Sequence, residues 1–89
     1  MTGEIPPVLA TMKNLKVLNL DGNLFSGQVP AGLGGPKIEK IRLISNNLVG
    51  DITQSLCSKT HFISADCAVG GEINCQNNCC DCCQLSCND

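Results

Sequence analysis

The sequence predicts an α/β solenoid in which short parallel strands stack side by side and irregular or 3₁₀ segments return the chain. Two observations predict it. A pattern of apolar residues, Asn, Gly and Pro recurs every 23 to 24 residues, and a repeat of that length buries its apolar side only against stacked neighbours. Six of the eight cysteines then crowd into residues 75–87, where the exposed end of a solenoid needs a cover.

The repeat is defined by eight positions that recur in order and in chemical class after 23 residues. They are Leu15, Leu18, Leu20, Asn23, Phe25, Gly27, Val29 and Leu33, which recur as Ile38, Ile41, Leu43, Asn46, Leu48, Gly50, Ile52 and Leu56. A partial earlier copy consists of Gly3, Ile5, Pro6 and Leu9. We therefore expect repeats over residues 1–56, with full copies at 15–37 and 38–56, and a degenerate last copy with a cysteine-rich cap over residues 57–89.

Each recurring residue type has a physical role. Residues two apart in a strand point to one face, so we expect Leu18 and Leu20 to point inward. An Asn where the strand ends can satisfy backbone groups that the bend leaves unpaired, and stacking would set Asn23 and Asn46 in a ladder. The recurring Gly allows a positive φ at a tight turn. The last Leu closes each repeat from the back, on a short 3₁₀ or irregular turn.

The consensus LxxLxLxxNxLxGxIPxxL resembles that of plant-type leucine-rich repeats, from Leu15 to Leu56 and in part from Gly3. The resemblance implies a right-handed solenoid with its parallel sheet on the concave side, and a receptor-like, non-catalytic role in recognition. Thr53 departs from the pattern, which would place Pro there. Because residue 3 already lies past the strand of its repeat, we expect a C-terminal fragment of a longer secreted or cell-surface protein, with the signal peptide upstream.

The candidate binding site is formed by the outward positions of the predicted strands. Residues 23 apart should be lateral neighbours, as Asn19 and Arg42 are. The patch mixes both charge signs with two aliphatic residues expected to be exposed, Val17 and Ile44, and suits a protein or a glycan ligand. The predicted partner-binding residues are Lys16, Val17, Asn19, Asp21, Glu39, Lys40, Arg42 and Ile44.

The degenerate last copy is predicted to end in one more strand and a disulfide-bonded cap. Ile63, Ala65 and Cys67 alternate and so favour an inward face, although a register with Phe62 inward stays open. The end of the chain, with its Leu-Cys, Ala-Asp-Cys and paired-cysteine segments, resembles secreted leucine-rich-repeat proteins of diatoms.

An even number of cysteines in a short chain is typical of a disulfide framework in an oxidising compartment, so we expect an extracellular location. Eight cysteines allow about a hundred connectivities. We expect Cys57 to pair with Cys67 across the last repeat, and the adjacent Cys79 and Cys80 to bridge elsewhere. The predicted disulfide-forming residues are Cys57, Cys67, Cys75, Cys79, Cys80, Cys82, Cys83 and Cys87.

Several other functions are disfavoured or left open by the sequence. A net charge of −2 without a basic run argues against nucleic acid, and no apolar stretch reaches the roughly 18 residues of a membrane span. No catalytic constellation is present, so we expect neither an enzyme nor a cofactor. The single histidine, His61, is not expected to bind metal. A structural spacer in a cell wall, and zinc or copper(I) binding by the tail thiolates, stay open as alternatives.

Overall fold

A computed structural model describes residues 3–30, 32–67, 72–81 and 83, and it has an α/β fold built on parallel strands. Within these residues a single α-helix, α1 (Gln54–Lys59), follows β5, and 3₁₀ helices lie at Pro7–Thr11 and Gln76–Asn78. The strands are β1 (Gly3–Glu4), β2 (Val17–Asn19), β3 (Phe25–Gln28), β4 (Lys40–Arg42), β5 (Asn47–Ile52), β6 (Phe62–Ser64) and β7 (Ile73–Cys75).

The strands form two parallel sheets that divide each repeat between them. The three-stranded sheet has the order β2-β4-β6, and the four-stranded sheet has the order β1-β3-β5-β7. Leu18 pairs with Ile41, and Ile41 pairs with Ile63, so neighbouring strands are separated by the length of one repeat. The three-stranded sheet was expected, whereas the four-stranded sheet lies in a region where irregular return segments were predicted.

The core lies between the two sheets and is filled by the inward residues of both. Leu18, Ile41 and Ile63 form its buried row in the three-stranded sheet. The inward position of Ile63 is confirmed, and Phe62 is only half-buried. From the four-stranded sheet, Phe25, Leu48, Ile52 and Ile73 enter the same cluster.

The recurring glycines have the predicted backbone conformation but a different location. Gly27 has φ 78° and Gly50 has φ 91°, which is the left-handed region that favours glycine. Both residues lie inside strands, β3 and β5, rather than in tight turns. The prediction of a turn is wrong because the return segment pairs with its neighbours and thereby becomes part of the second sheet.

The last Leu of each repeat packs into or against the core. Leu33 and Leu56 are fully buried, and Leu9 packs half-buried against the same core. Leu56 lies on the α-helix α1 instead of the expected 3₁₀ turn. Thr53 explains the difference, because its side-chain oxygen accepts a hydrogen bond from the Leu56 N–H at 3.3 Å and caps the helix N-terminus.

The Asn46 side chain ties the second repeat to the third. Its Oδ1 accepts hydrogen bonds from the backbone N–H groups of Asn23, at 3.2 Å, and Phe25, at 3.0 Å. Its Nδ2 donates to the carbonyl oxygens of Leu20, at 2.9 Å, and Leu43, at 3.1 Å. One half-buried amide therefore satisfies backbone groups on both sides of a bend in two repeats, whereas the Asn23 side chain donates to the Asp21 carbonyl oxygen in its own bend.

We expect the substitution Asn46→Ala to lower the free energy of unfolding by about 2 kcal/mol or more, because several backbone groups lose their partner at once. The matched control is Asn47→Ala, which removes the same side chain from the adjacent, exposed position and should change stability by less than about 0.5 kcal/mol. Urea denaturation followed by far-UV circular dichroism measures both. Equal effects of the two substitutions would contradict the role of Asn46.

Candidate binding face and cysteine cluster

The outward side of the three-stranded sheet is the candidate binding face, because its inward side is buried in the core. Strand register sets its residues in two rows across the sheet. The rows are Val17–Lys40–Phe62 and Asn19–Arg42–Ser64. The predicted neighbours Asn19 and Arg42 do lie side by side. Phe62 joins the face as a half-buried residue, whereas Ser64 is fully buried. The alternation of HFISA around Ile63 was the signal that could have identified Phe62.

Four of the predicted binding residues are exposed and can be reached by a ligand. Lys16, Asn19 and Glu39 are exposed, and Val17 is 56% exposed. Lys16 and Glu39 are adjacent, since the Glu39 N–H donates to the Lys16 carbonyl oxygen at 2.8 Å. Lys40 is half-buried between the two flanking strands. The accessible part of the face therefore combines an exposed aliphatic side chain with charges of both signs.

Asp21 and Arg42 hold two repeats together at the edge of this face. The Arg42 Nε donates to Asp21 Oδ2 at 2.9 Å, and their side chains are only 17% and 28% exposed, respectively. The other carboxylate oxygen of Asp21 accepts the Ile44 N–H at 2.8 Å. Both charged side chains therefore make contacts within the chain that join neighbouring repeats.

Ile44 does not belong to the exposed face, and its prediction as an exposed aliphatic residue is wrong. It is 3% exposed. The prediction extended the alternation of a strand beyond Arg42, where β4 ends. Ser45, three residues after Arg42, has φ 63°, so the chain turns there. Leu43 and Ile44 are both buried as a result.

Asp66 is a second carboxylate that binds the turn at residues 44–46, and the sequence analysis did not predict this role. Its two carboxylate oxygens accept the N–H groups of Ser45, at 3.2 Å, and Asn46, at 3.1 Å. Together with Asp21, it provides acceptors for three consecutive amides, residues 44–46, from the repeats on either side. The available signal was periodicity, because Asp21 and Asp66 lie two repeat lengths apart at the same position of the repeat.

Among the described residues, two disulfides join the last repeat to the cysteine-rich end, and a third lies within that end. The pairs are Cys57–Cys79, Cys67–Cys83 and Cys75–Cys80, with Cα–Cα distances of 6.0, 4.8 and 5.8 Å. The predicted Cys57–Cys67 pair is wrong, because Cys57 on α1 is bound to Cys79 and Cys67, which follows β6, is bound to Cys83. Cys79 and Cys80 bridge to different residues, as expected. Cys82 and Cys87 lie outside the described residues.

Asp81 occupies the outer edge of β6 between these disulfides. Its backbone N–H donates to the Ile63 carbonyl oxygen at 2.8 Å, and its Oδ2 accepts the Ile63 N–H at 2.8 Å. A single residue thereby supplies both the donor and the acceptor that a neighbouring strand would supply. The edge of the three-stranded sheet is covered at this point, which agrees with a capping role for the tail.

The sulfur atoms of the six described cysteines fall into two groups. Within each group the Sγ atoms all lie within 4.8 Å of one another. The groups are Cys57, Cys79 and Cys80, and Cys67, Cys75 and Cys83. A metal ion binds the thiolate form of cysteine, and all six sulfurs here are in disulfides. These two groups are the positions at which a soft metal ion could bind if the bridges were reduced.

Comparisons with known proteins support a link to leucine-rich repeats. The chain is 38% identical over 60 residues to a leucine-rich repeat receptor-like protein kinase of Arabidopsis thaliana, whose name describes a kinase not expected to be active. The match covers 67% of this chain but 6% of that protein. No protein-family model and no solved structure matches the chain. None of these comparisons supports the resemblance of the tail to diatom proteins.

The fold, the repeat and this similarity together define the class: a disulfide-bonded α/β protein with parallel sheets and a weak relationship to leucine-rich repeat proteins. Among the described residues, no helix is both long and apolar enough to cross a membrane.

We expect the contribution of each disulfide to stability to increase with the length of the loop that it closes. Cys57 and Cys79 are separated by 22 residues, and replacing both by Ser should lower the free energy of unfolding by about 3 kcal/mol. Cys75 and Cys80 are separated by 5 residues, and replacing both by Ser should lower it by about 2 kcal/mol. Denaturant unfolding without reductant measures the difference. Peptide mapping of the unreduced wild type tests the pairing itself, and a Cys57–Cys67 peptide would contradict it.

Proposed function

We propose that this chain is a non-catalytic recognition module of leucine-rich repeat type that binds a polypeptide on the outward face of the three-stranded sheet. The observation that carries the proposal is the row Val17–Lys40–Phe62, in which an exposed aliphatic and a half-buried aromatic side chain flank a lysine. Apolar side chains exposed beside charged ones are typical of protein-binding surfaces. The similarity to a receptor-like protein agrees with this role.

The proposal includes a solenoid in which this face is concave and right-handed winding connects the repeats. It is supported by the regular step of 23 and then 22 residues between paired strands, from Leu18 to Ile41 to Ile63. On this view residues 1–56 are the repeats and residues 57–89 are the cap. The cap is supported by the three disulfides and by the contact of Asp81 with the edge of β6.

A polypeptide ligand is favoured over a glycan by the make-up of the accessible residues. The exposed Val17 offers apolar area, and Lys16 and Glu39 offer one charge of each sign, so side chains of different character can be accommodated together. We place the module outside the cell, because disulfides persist in oxidising compartments. The alternative role, a structural spacer in a cell wall, requires no ligand on this face.

The proposal is tested by screening the oxidised protein against a peptide display library and a glycan array. We expect peptide ligands whose affinity falls about tenfold or more with Val17→Gln, because burying a valine side chain contributes about 1.5–3 kcal/mol. The matched control is Val8→Gln, which makes the same change at a valine that is 60% exposed on the Pro7–Thr11 helix, away from the face.

Peptides that bind wild type and the Val8 variant equally, but bind the Val17 variant weakly, would support the proposed face. Ligands found on the glycan array alone would replace the polypeptide by a carbohydrate. The recognition proposal fails if neither library yields a ligand that responds to the Val17 substitution, and the spacer role then becomes the better account.

A further inference from the structure

Two of the disulfides lie side by side, and their sulfur atoms form a compact set of four. Cys67 is bound to Cys83, and Cys75 is bound to Cys80. The Sγ atoms of Cys67, Cys75 and Cys83 all lie within 4.8 Å of one another, and the fourth sulfur is bonded directly to that of Cys75. Sulfurs from three separate segments of the chain therefore converge on one small volume.

A cavity of about 110 Å³ borders this set of sulfurs. Its lining residues are Cys67, Ile73, Asn74, Cys75, Cys80 and Cys83. One water-sized sphere needs only roughly 10–15 Å³, so the cavity has room for an ion beside the sulfurs. Three of the four cysteines are half-buried and Cys75 is buried, so an ion can reach the site from solvent and still be largely enclosed there.

Backbone contacts as well as bridges hold Cys67 and Cys75 next to each other. Cys75 ends β7, which pairs in parallel with β5 and has Ile52 as the partner of Cys75. The Ile73 N–H donates to the Asp66 carbonyl oxygen at 3.3 Å, which joins β7 to the segment that carries Cys67. Neither contact involves a sulfur atom, so reduction of the bridges breaks neither of them directly.

The other two cysteines are positioned by the residue that lies between them in sequence. Asp81 follows Cys80 and precedes Cys83 by two residues. Its backbone N–H donates to the Ile63 carbonyl oxygen, and its carboxylate accepts the Ile63 N–H, both at 2.8 Å. These hydrogen bonds also contain no sulfur, so the spacing C-x-x-C around Asp81 keeps its attachment to β6 when the thiols are free.

Four cysteine thiolates are the ligand set of a structural zinc site. With Zn–S distances of about 2.3 Å, neighbouring sulfurs of a tetrahedral site lie about 3.8 Å apart. The sulfurs of the two bridges already approach one another within 4.8 Å, and each bonded pair only has to separate once its bond is reduced. Zn²⁺ is neither oxidised nor reduced, so it suits a site whose ligands change their own redox state.

We propose that Cys67, Cys75, Cys80 and Cys83 form a redox-dependent zinc site. The four cysteines hold one Zn²⁺ as thiolates when their two bridges are reduced, and they release it when the bridges form. The inference goes beyond the proposed function and does not depend on it, because none of the residues predicted to bind a partner belongs to the site.

The exchange between the two states balances in electrons and protons. Each bridge takes two electrons and two protons from a dithiol reductant and becomes two thiols, while the reductant closes to a cyclic disulfide. Binding of Zn²⁺ then displaces the four thiol protons. In reverse, two molecules of a small disulfide take four electrons from the four thiolates, which leaves two bridges, four small thiolates and free Zn²⁺. The bridged state belongs to oxidising compartments and the zinc state to reducing ones.

Alkylation mapping of the reduced full chain tests the proposal. The reduced protein, freed of reductant under nitrogen, is mixed with an equimolar amount of Zn²⁺, treated with iodoacetamide and mapped by mass spectrometry. We expect the four proposed ligands to be protected, whereas Cys57 and Cys79, which do not line the cavity, are alkylated. A chelator added before the iodoacetamide should remove the protection.

Two matched double substitutions test the same site by affinity. Cys67→Ser with Cys83→Ser removes one bridge and two proposed ligands, and should weaken zinc binding by the reduced protein about 100-fold or more. Cys57→Ser with Cys79→Ser also removes one bridge and two thiols, but should change the affinity by less than about threefold because both lie outside the cavity. Competition with a chromophoric zinc chelator measures both.

The proposal is overturned if the two double variants lose zinc affinity equally, or if the protected cysteines of the wild type are a different set. A reduced wild type that takes up no Zn²⁺ overturns it as well. If the variant at Cys67 and Cys83 does not fold, the alkylation map of the wild type decides.

Discussion

The five hydrogen bonds of the Asn46 amide are the constraint on which the rest of the structure depends. A chain that leaves one strand and bends toward the next exposes backbone N–H and C=O groups inside the molecule, and these groups must find partners. Asn46 supplies them for its own bend and for the bend of the preceding repeat. These bonds fix the two repeats in register where one sheet ends and the other begins.

Much of the fold could be predicted from the sequence, because the inward residues of β2, β4 and β6 follow a strict spacing. The four-stranded sheet could not, since its short strands contain glycines with positive φ and form only when neighbouring repeats pair. Disulfide pairing also depends on how the tail returns to the repeats. The path of the tail is set by contacts such as that of Asp81 with Ile63, which no periodicity encodes.

The candidate site illustrates a different limit of sequence reasoning. Position within the repeat identified which residues lie on or near the outward face, but not whether a polar side chain is free or already used. Asp21 and Arg42 were predicted as ligand contacts, and the structure adds that they join two repeats. Ile44 looked like an exposed anchor and is buried because the strand ends before it. What remains accessible is the part of the face whose side chains are exposed, at Lys16, Val17, Asn19 and Glu39.

The amides of residues 44–46 have a consequence for how the molecule unfolds. Their carboxylate acceptors come from the preceding repeat through Asp21 and from the following repeat through Asp66, so the middle turn is not self-sufficient. Losing either neighbour leaves backbone donors without partners in the repeat that remains. Coupling of this kind between adjacent units makes unfolding cooperative along the chain, and fraying of one end weakens the centre before the other end has opened.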